Sequence, residues 1–273
     1  PVGREVHPPS VNPVAPEDVA AEVVACAKAG AAMVHLHVRD AQGRQTERLE
    51  DFSRTLDLIR AGSDIVLQGS TGGLSSLTLE ERCIALNDPR VEVASLNMGS
   101  VNFGDDVYVN RLPDIRYWAG RMRETRTVPE LEIFEAGMLP VVRQMEAEGV
   151  LRPPFYFNLG LGFRWALPAD PRSLFFMQAL MPPGIPWGMV HDGMADLTLL
   201  ATAIGLGAAV VRVGFEDSVR WAPDRTVRTD LELVERLGQR VAPVAVQVLR
   251  AARRRQLRAH LQPVGLQLVQ RPE

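Results

Sequence analysis

Cysteine is nearly absent: the 273-residue chain carries two, Cys26 and Cys83. Each falls within a segment of amphipathic helical spacing, so there is material for neither a disulfide framework nor a cysteine-based zinc site. Long apolar runs are missing as well. No stretch approaches the roughly 18 residues of a membrane span, and no charged-then-apolar leader is recognisable. Neither charge dominates, with 30 Lys+Arg against 33 Asp+Glu, a net charge of -3 and a pI near 6.0. That balance argues against a nucleic-acid partner, and the one basic run, "RAARRRQLR", reads as a solvated helix face. No internal repeat of 20 to 50 residues occurs. These absences leave a cytoplasmic, non-membrane protein whose length suits one large domain.

What is present is an alternation of short apolar strands with helical segments. Strands are expected at "AAMVHLHV", "DIVLQGS", "VEVASLNM", "VPELEIFE", "PFYFNLG", "IPWGMVHD" and "AAVVRVGFED". A helix opens at Pro16, with Glu17 and Asp18 at its positive end and Gly30 as its stop. Another carries Leu49, Phe52, Leu56 and Ile59 at three- and four-residue spacing and is expected to stop at Gly62. Further helices are expected from near Thr78, Pro113, Ala136, Asp170, Met194 and Val227. Seven strands plus one ahead of Pro16 make eight, the count of a (β/α)₈ TIM barrel. The expected organisation is therefore one barrel domain over residues 1–273, with a C-terminal helical extension from about residue 243.

Strand parity sharpens this reading, because inward and outward positions alternate in a barrel wall and the outer face must meet apolar helices. If Leu131 and Ile133 face out, Glu130 and Glu132 face in; if Val211, Val213 and Phe215 face out, Arg212, Gly214 and Glu216 face in. Gln68 with Ser70, Ser95 with Asn97, Tyr156 with Asn158, and His35 with His37 likewise share one side. His35 and His37, two residues apart on a strand, can converge on one metal ion. Glu216, inward at the end of the last strand, can complete a His₂-carboxylate triad, for which zinc is the best match and other divalent metals are possible. Arg212 and Asp217 bracket Glu216, and an arginine there can hold a carboxylate ionised and oriented.

The turn "GSTGG" at residues 69–73 offers hydroxyls and closely approaching backbone N–H groups to a carboxylate or phosphate. His191 falls near a strand end and is a candidate substrate contact. On the residues alone, a metal-dependent hydrolase of the amidohydrolase type and a non-catalytic binding barrel remain open. The former normally uses further histidines on middle strands, which this chain lacks.

Five ordered motifs, "HLHVRD", "STGG", "SLNMGSVNFGDD", "PELEIFEAGM" and "VRVGFEDS", resemble the β-keto acid cleavage enzyme family over about residues 16–240. The resemblance implies a zinc-bearing barrel that takes a β-keto acid and acetyl-CoA and returns acetoacetate and a new acyl-CoA. It implies His35, His37 and Glu216 as metal ligands, and Ser70, Gly73, Ser95 and Asn97 as the keto-acid site. Glu132, Arg212 and Asp217 match positions implicated in catalysis, and a homotetramer is implied. The expected chemistry has Asp217 generate a nucleophile at the acetyl-CoA carbon, which adds to the keto group. Three departures stand out. "PVGREVHPP" replaces the usual first motif and leaves Glu5 a weak counterpart, Ser95 stands where the best-known member has threonine, and "HDGMAD" replaces a Gly-Arg-His/Trp stretch. The last change suggests a different substrate tail, selected with the help of His191 and Asp192.

Overall fold

The computed structural model describes residues 8–40, 42–44, 46, 48–72 and 77–240. Seven parallel strands form one sheet in chain order: β1 (Met33–Leu36), β2 (Val66–Gly69), β3 (Val93–Asn97), β4 (Val128–Ile133), β5 (Tyr156–Leu161), β6 (Trp187–His191) and β7 (Val210–Val211). Crossover helices link them, among them α1 (Pro16–Ala29), α2 (Glu50–Gly62), α3 (Leu79–Arg82), α4 (Leu112–Thr125), α5 (Met138–Ala147), α6 (Pro171–Leu180) and α7 (Thr198–Gly205). A further helix occupies residues 230–240. This is the α/β architecture of a TIM barrel, with seven strands of the wall among the described residues. The expected eighth strand falls partly on residues 1–7, outside the described residues, and residues 8–15 contain no strand. The C-terminal extension also lies outside them.

Local signals account for the helix ends. Pro16 starts α1 and Gly30 ends it with φ 112°, its N–H returning to the Ala27 and Cys26 carbonyls. A side chain at that φ would be strained, which is why glycine stands there. Thr78 caps α3 through a reciprocal box with Glu81, and the Asp170 side chain caps α6 by accepting from the Ser173 N–H. The α2 stop comes one residue later than expected, with Gly62 still helical and Ser63 extended.

The apolar core lies between the strands' outer faces and the helices. Leu131, Ile133, Phe157, Leu159 and Met189 pack there against Trp118, Met122, Val142, Met177 and Leu200. A second cluster joins Val23, Phe52, Leu56 and Ile59 to Leu67. Each such large side chain contributes about 1.5–3 kcal/mol on burial. The inward parity does different work. Val66, Val93, Val128 and Tyr156, with Met33 and Val210 against them, close the lower end of the lumen with a dry plug. Polar residues stack above it. The wall curls far enough that β1 and the segment after β7 meet, His37 Nε2 lying 3.2 Å from Glu216 Oε2.

Three features depart from expectation. β7 keeps only two residues of "AAVVRVGFED", so Arg212 to Asp217 form a loop that can aim side chains into the lumen. Two antiparallel hairpins were not legible as strands, Val101–Phe103 with Asp106–Tyr108 and Arg220–Ala222 with Arg225–Thr226. The helix expected from Met194 begins at Thr198.

Asp230, at the start of the last described helix, accepts the Phe215 N–H at 2.9 Å and is buried deeply enough that its pKa is pushed up to about 7, with Glu22 adding to the rise. An acid whose folded pKa is raised binds its proton more tightly when folded, so stability falls as pH rises from about 4 towards 7. Asp230→Asn keeps the acceptor and removes the charge. It is expected to raise the Tm at pH 8, with the gain vanishing below pH 4, as followed by thermal denaturation across pH. A gain independent of pH would refute this origin.

Candidate metal centre and active site

His35 and His37 lie at the upper end of β1, the first inside the strand and the second just beyond it. His35 Nδ1 sits 3.0 Å from Gln68 Oε1, and since an amide oxygen only accepts, Nδ1 carries the proton. Nε2 is thereby left unprotonated, and burial pushes the His35 pKa down to about 3, so the ring stays neutral at physiological pH. Its Nε2 lies 3.6 Å from Glu216 Oε2, and His37 Nε2 is 3.2 Å from the same oxygen. The ligand atoms of the three residues lie within 4.8 Å of one another. Two neutral-capable imidazoles and a carboxylate form a donor set for a borderline divalent cation, and the Gln68 bond is the outer support that fixes a ligand's tautomer.

Beside this group, Arg212 makes a fork on Asp217, with Nε 2.9 Å from Oδ2 and Nη2 2.7 Å from Oδ1, and reaches Glu216 Oε1 at 3.7 Å. Burial opposes the charge on Glu216, but Arg212 outweighs it and, with the hydrogen bond from His37, holds the carboxylate well below its usual range. Burial dominates at Asp217, pushing it up to about 6 against the pull of Arg212. Glu132, on inward parity at the top of β4, is pushed up to about 8 by burial and by Glu130, so it keeps its proton at neutral pH. One lumen thus holds an ionised acid and a protonated one, the division of states that acid–base chemistry requires.

Below the acids runs a hydrogen-bonded layer. Gln68 Nε2 donates to the Tyr156 hydroxyl at 3.3 Å, that hydroxyl donates to Glu130, and Asn158 Nδ2 donates to Glu130 at 3.0 Å. Sequence parity puts Gln68 and Glu130 inside without assigning them a task. The pairing of Gln68 with His35 across β1 and β2 is the signal that would have found the first.

Across the lumen, the Asn97 side-chain oxygen accepts the Gly99 N–H at 3.3 Å, and Nδ2 is a buried donor without a partner among the described residues. Arg212 Nη1 is a second such donor. Ser95 Oγ accepts the Thr71 N–H at 3.3 Å, and Ser70 Oγ accepts the Gly72 N–H at 3.0 Å, so both hydroxyl oxygens are fixed at the mouth of β2 and β3. Buried donors left unsatisfied are costly unless a ligand completes them.

Two of the expected contacts stand apart. Gly73 lies outside the described residues. His191 pairs with Leu161 and shares the parity of Met189, which puts it on the helix-facing side of the wall, buried at 6 % exposure, with its pKa pushed down by burial. Asp192, one residue on, is the member of that pair that acts on Asp217, helping to raise its pKa.

Comparison with known proteins bears on the family and the fold. The family model described as beta-keto acid cleavage enzyme matches residues 2–259. The 3-keto-5-aminohexanoate cleavage enzyme of Fusobacterium nucleatum subsp. nucleatum is 35% identical over 240 residues, covering 86% of each chain. The 3-oxoadipate:acetyl-CoA acetyltransferase of Cupriavidus necator is 32% identical over 249 residues, again covering 86% of each. Among solved structures, apo ObcA superposes with a TM-score of 0.69 at 20% identity, over 85% of this chain; the match spans 62% of the ObcA chain and bears on the fold alone.

Metal titration tests the donor set directly. His37→Ala is expected to abolish stoichiometric binding of a divalent cation. Gln68→Ala, which frees the His35 ring, is expected to weaken it about 10- to 100-fold. Competition with a chromogenic chelator reads both, and unchanged affinity in His37→Ala would remove the metal assignment.

Proposed function

The chain belongs to the β-keto acid cleavage enzyme family, and from that premise we propose that it transfers the acyl part of a β-keto acid to CoA, using acetyl-CoA and releasing acetoacetate. The observation that carries this reading is the meeting of His35, His37 and Glu216 beside the Arg212–Asp217 fork. His35, His37 and Glu216 would hold the metal, for which two nitrogens and one oxygen match zinc best. When bound, a divalent cation there acts as a Lewis acid that lowers the energy of negative charge on the keto acid's oxygens.

Atom balance corrects the direction of attack expected from sequence. If the R–CO part of the acid leaves on CoA, the two carbons at its carboxyl end must join the acetyl group, so the keto acid's C2 is the nucleophile. Asp217 takes the C2 proton, with Arg212 orienting the carboxylate. C2 then attacks the acetyl thioester carbonyl and CoA thiolate leaves. The thiolate next attacks the original keto carbon, the C2–C3 bond breaks, and Asp217 returns its proton to C2. Glu132, protonated up to about pH 8, can donate a hydrogen bond to charge developing in the lumen. Ser70, Ser95 and Asn97, with Gly73 by resemblance, would seat the substrate carboxylate, and the two partnerless donors, Asn97 Nδ2 and Arg212 Nη1, support that reading. The displacement of His191 to the outer side favours Asp192 over it as a determinant of the substrate tail.

Among the described residues no helix is long and apolar enough to cross a membrane. The free, buried Cys26 and Cys83 support a cytoplasmic setting, and the homotetramer is carried over from the family resemblance.

The test incubates metal-loaded protein with acetyl-CoA and a panel of β-keto acids. Acetoacetate and a new acyl-CoA are expected in equal amounts, and only when both substrates are present. Asp217→Asn is expected to lower kcat by about 10²–10⁴-fold with metal content unchanged. Free CoA released without acetoacetate would indicate hydrolysis and overturn the proposal.

A further inference from the structure

Arg82, on α3, is 5 % exposed and has no carboxylate within ion-pair distance among the described residues. Its guanidinium instead ties two loops of the site together. Nε donates to the Thr71 carbonyl at 3.2 Å, inside the "STGG" turn. On the other side, Nη1 donates to the Val109 carbonyl at 2.8 Å, and Nη2 to Asn110 Oδ1 at 2.6 Å and the Tyr108 hydroxyl at 3.2 Å. The group lies 4.1 Å from the centroid of the Trp118 ring, which shields it from water on that side. A buried guanidinium facing only neutral acceptors is expensive to keep, and its field is fully available to an anion nearby.

Tyr108 is what that clamp holds over the turn. Its ring stacks on Phe103 with centroids 5.0 Å apart, and Phe103 stacks in turn on Phe163 at 4.6 Å. The phenol oxygen accepts from Arg82, while its own proton has no acceptor among the described residues. Burial pushes the phenol's pKa up to about 12, with Glu132 and Glu216 adding to the rise, so the proton is present at any physiological pH. A Cβ at Gly72 would lie 2.8 Å from this oxygen and 3.1 Å from Ser70 Oγ. The two hydroxyls therefore crowd the same side of Gly72, where no side chain has room.

We propose that Tyr108 is a substrate-binding residue whose phenol donates to the carboxylate of the β-keto acid beside Ser70, and that Arg82 is a positioning residue which fixes the phenol and supplies positive potential behind it. The inference rests on the reading that the keto acid's carboxylate seats at Ser70, Ser95 and Asn97. Gly72 has a part in it too, since any larger residue displaces the donor.

Tyr108→Phe keeps the ring stack and removes only the hydroxyl. Calorimetry with acetoacetate on the metal-loaded protein is expected to show binding weakened about tenfold, and KM for the β-keto acid rises by a similar factor. KM for acetyl-CoA and metal content stay at their wild-type values, and Tm falls by about 2–4 °C because Arg82 loses one acceptor. Gly72→Ala is expected to reproduce the selective loss by pushing the phenol aside, and Arg82→Lys to give it in part, because lysine keeps the charge but not the fork. Unchanged acetoacetate binding in Tyr108→Phe overturns the proposal, as does a loss shared equally by both substrates. If the wild-type protein binds acetoacetate yet turns over no keto acid, the functional reading fails while the comparison of Tyr108 with its Phe variant still decides on binding alone. If the wild type binds no acetoacetate, the carboxylate site itself is refuted.

Discussion

The lumen depends on one guanidinium. Glu132, Glu216 and Asp217 all face the interior of the same wall, and burial pushes the pKa of each upward. Arg212 opposes that at all three, through the fork on Asp217, the approach to Glu216 at 3.7 Å and the pull of its charge on Glu132. Burial works against the arginine's own charge, but Asp217 and Glu216 outweigh it and raise its pKa well above the usual value. The result is graded: Glu216 is held ionised, Asp217 titrates near 6, and Glu132 near 8. A neutral residue at 212 would remove that opposition and raise the pKa of Glu132, Glu216 and Asp217 alike.

Such a lumen is tolerable because the fold separates it from its own stability. Alternation along each strand sends Leu131, Ile133, Leu159 and Met189 outward to the helices, and the same strands send Glu130, Glu132 and Asn158 inward. The helix-facing clusters and the dry plug formed by Val66, Val93, Val128 and Tyr156 supply the burial that holds the wall together. The polar upper half can then keep partnerless donors such as Asn97 Nδ2 that a packed core could not.

This separation also explains what was legible in the sequence. Wherever a strand alternates cleanly, the pattern fixes the facing of every residue at once, so the convergence of His35, His37, Glu216, Arg212 and Glu132 could be read from spacing and from the resemblance in "HLHVRD" and "VRVGFEDS". Period-two reasoning fails where the strand ends or the pattern is ambiguous. "AAVVRVGFED" reads as ten residues of strand, yet β7 stops at Val211, because Gly214 and the acids beyond it serve the lumen rather than the ladder. In "WGMVHD" the motif suggests a lumen-facing His191, yet strand parity pairs it with Leu161 on the helix side of the wall, and only the neighbouring Asp192 acts on Asp217. The hairpin carrying Phe103 and Tyr108 was invisible for another reason: "VNFGDDVY" is short and polar, and its strands are held by a clamp from α3 that no local pattern announces.

Two buried arginines therefore divide the electrostatics of this mouth. Arg212 lies among acids and spends its charge on setting their protonation, so it contributes little net field to an incoming anion beyond the single donor at Nη1. Arg82 lies among carbonyls, an amide and a phenol, all neutral, so its charge is not cancelled locally and acts through the turn that carries Ser70. A bound β-keto carboxylate would supply the missing counter-charge there. Its C2 would then extend towards Asp217, the acid that the other arginine holds in readiness. On that proposal the two guanidiniums have separate tasks, Arg212 acting on the acids and Arg82 on the substrate carboxylate. That order makes the unpaired arginine as much a part of the chemistry as the paired one.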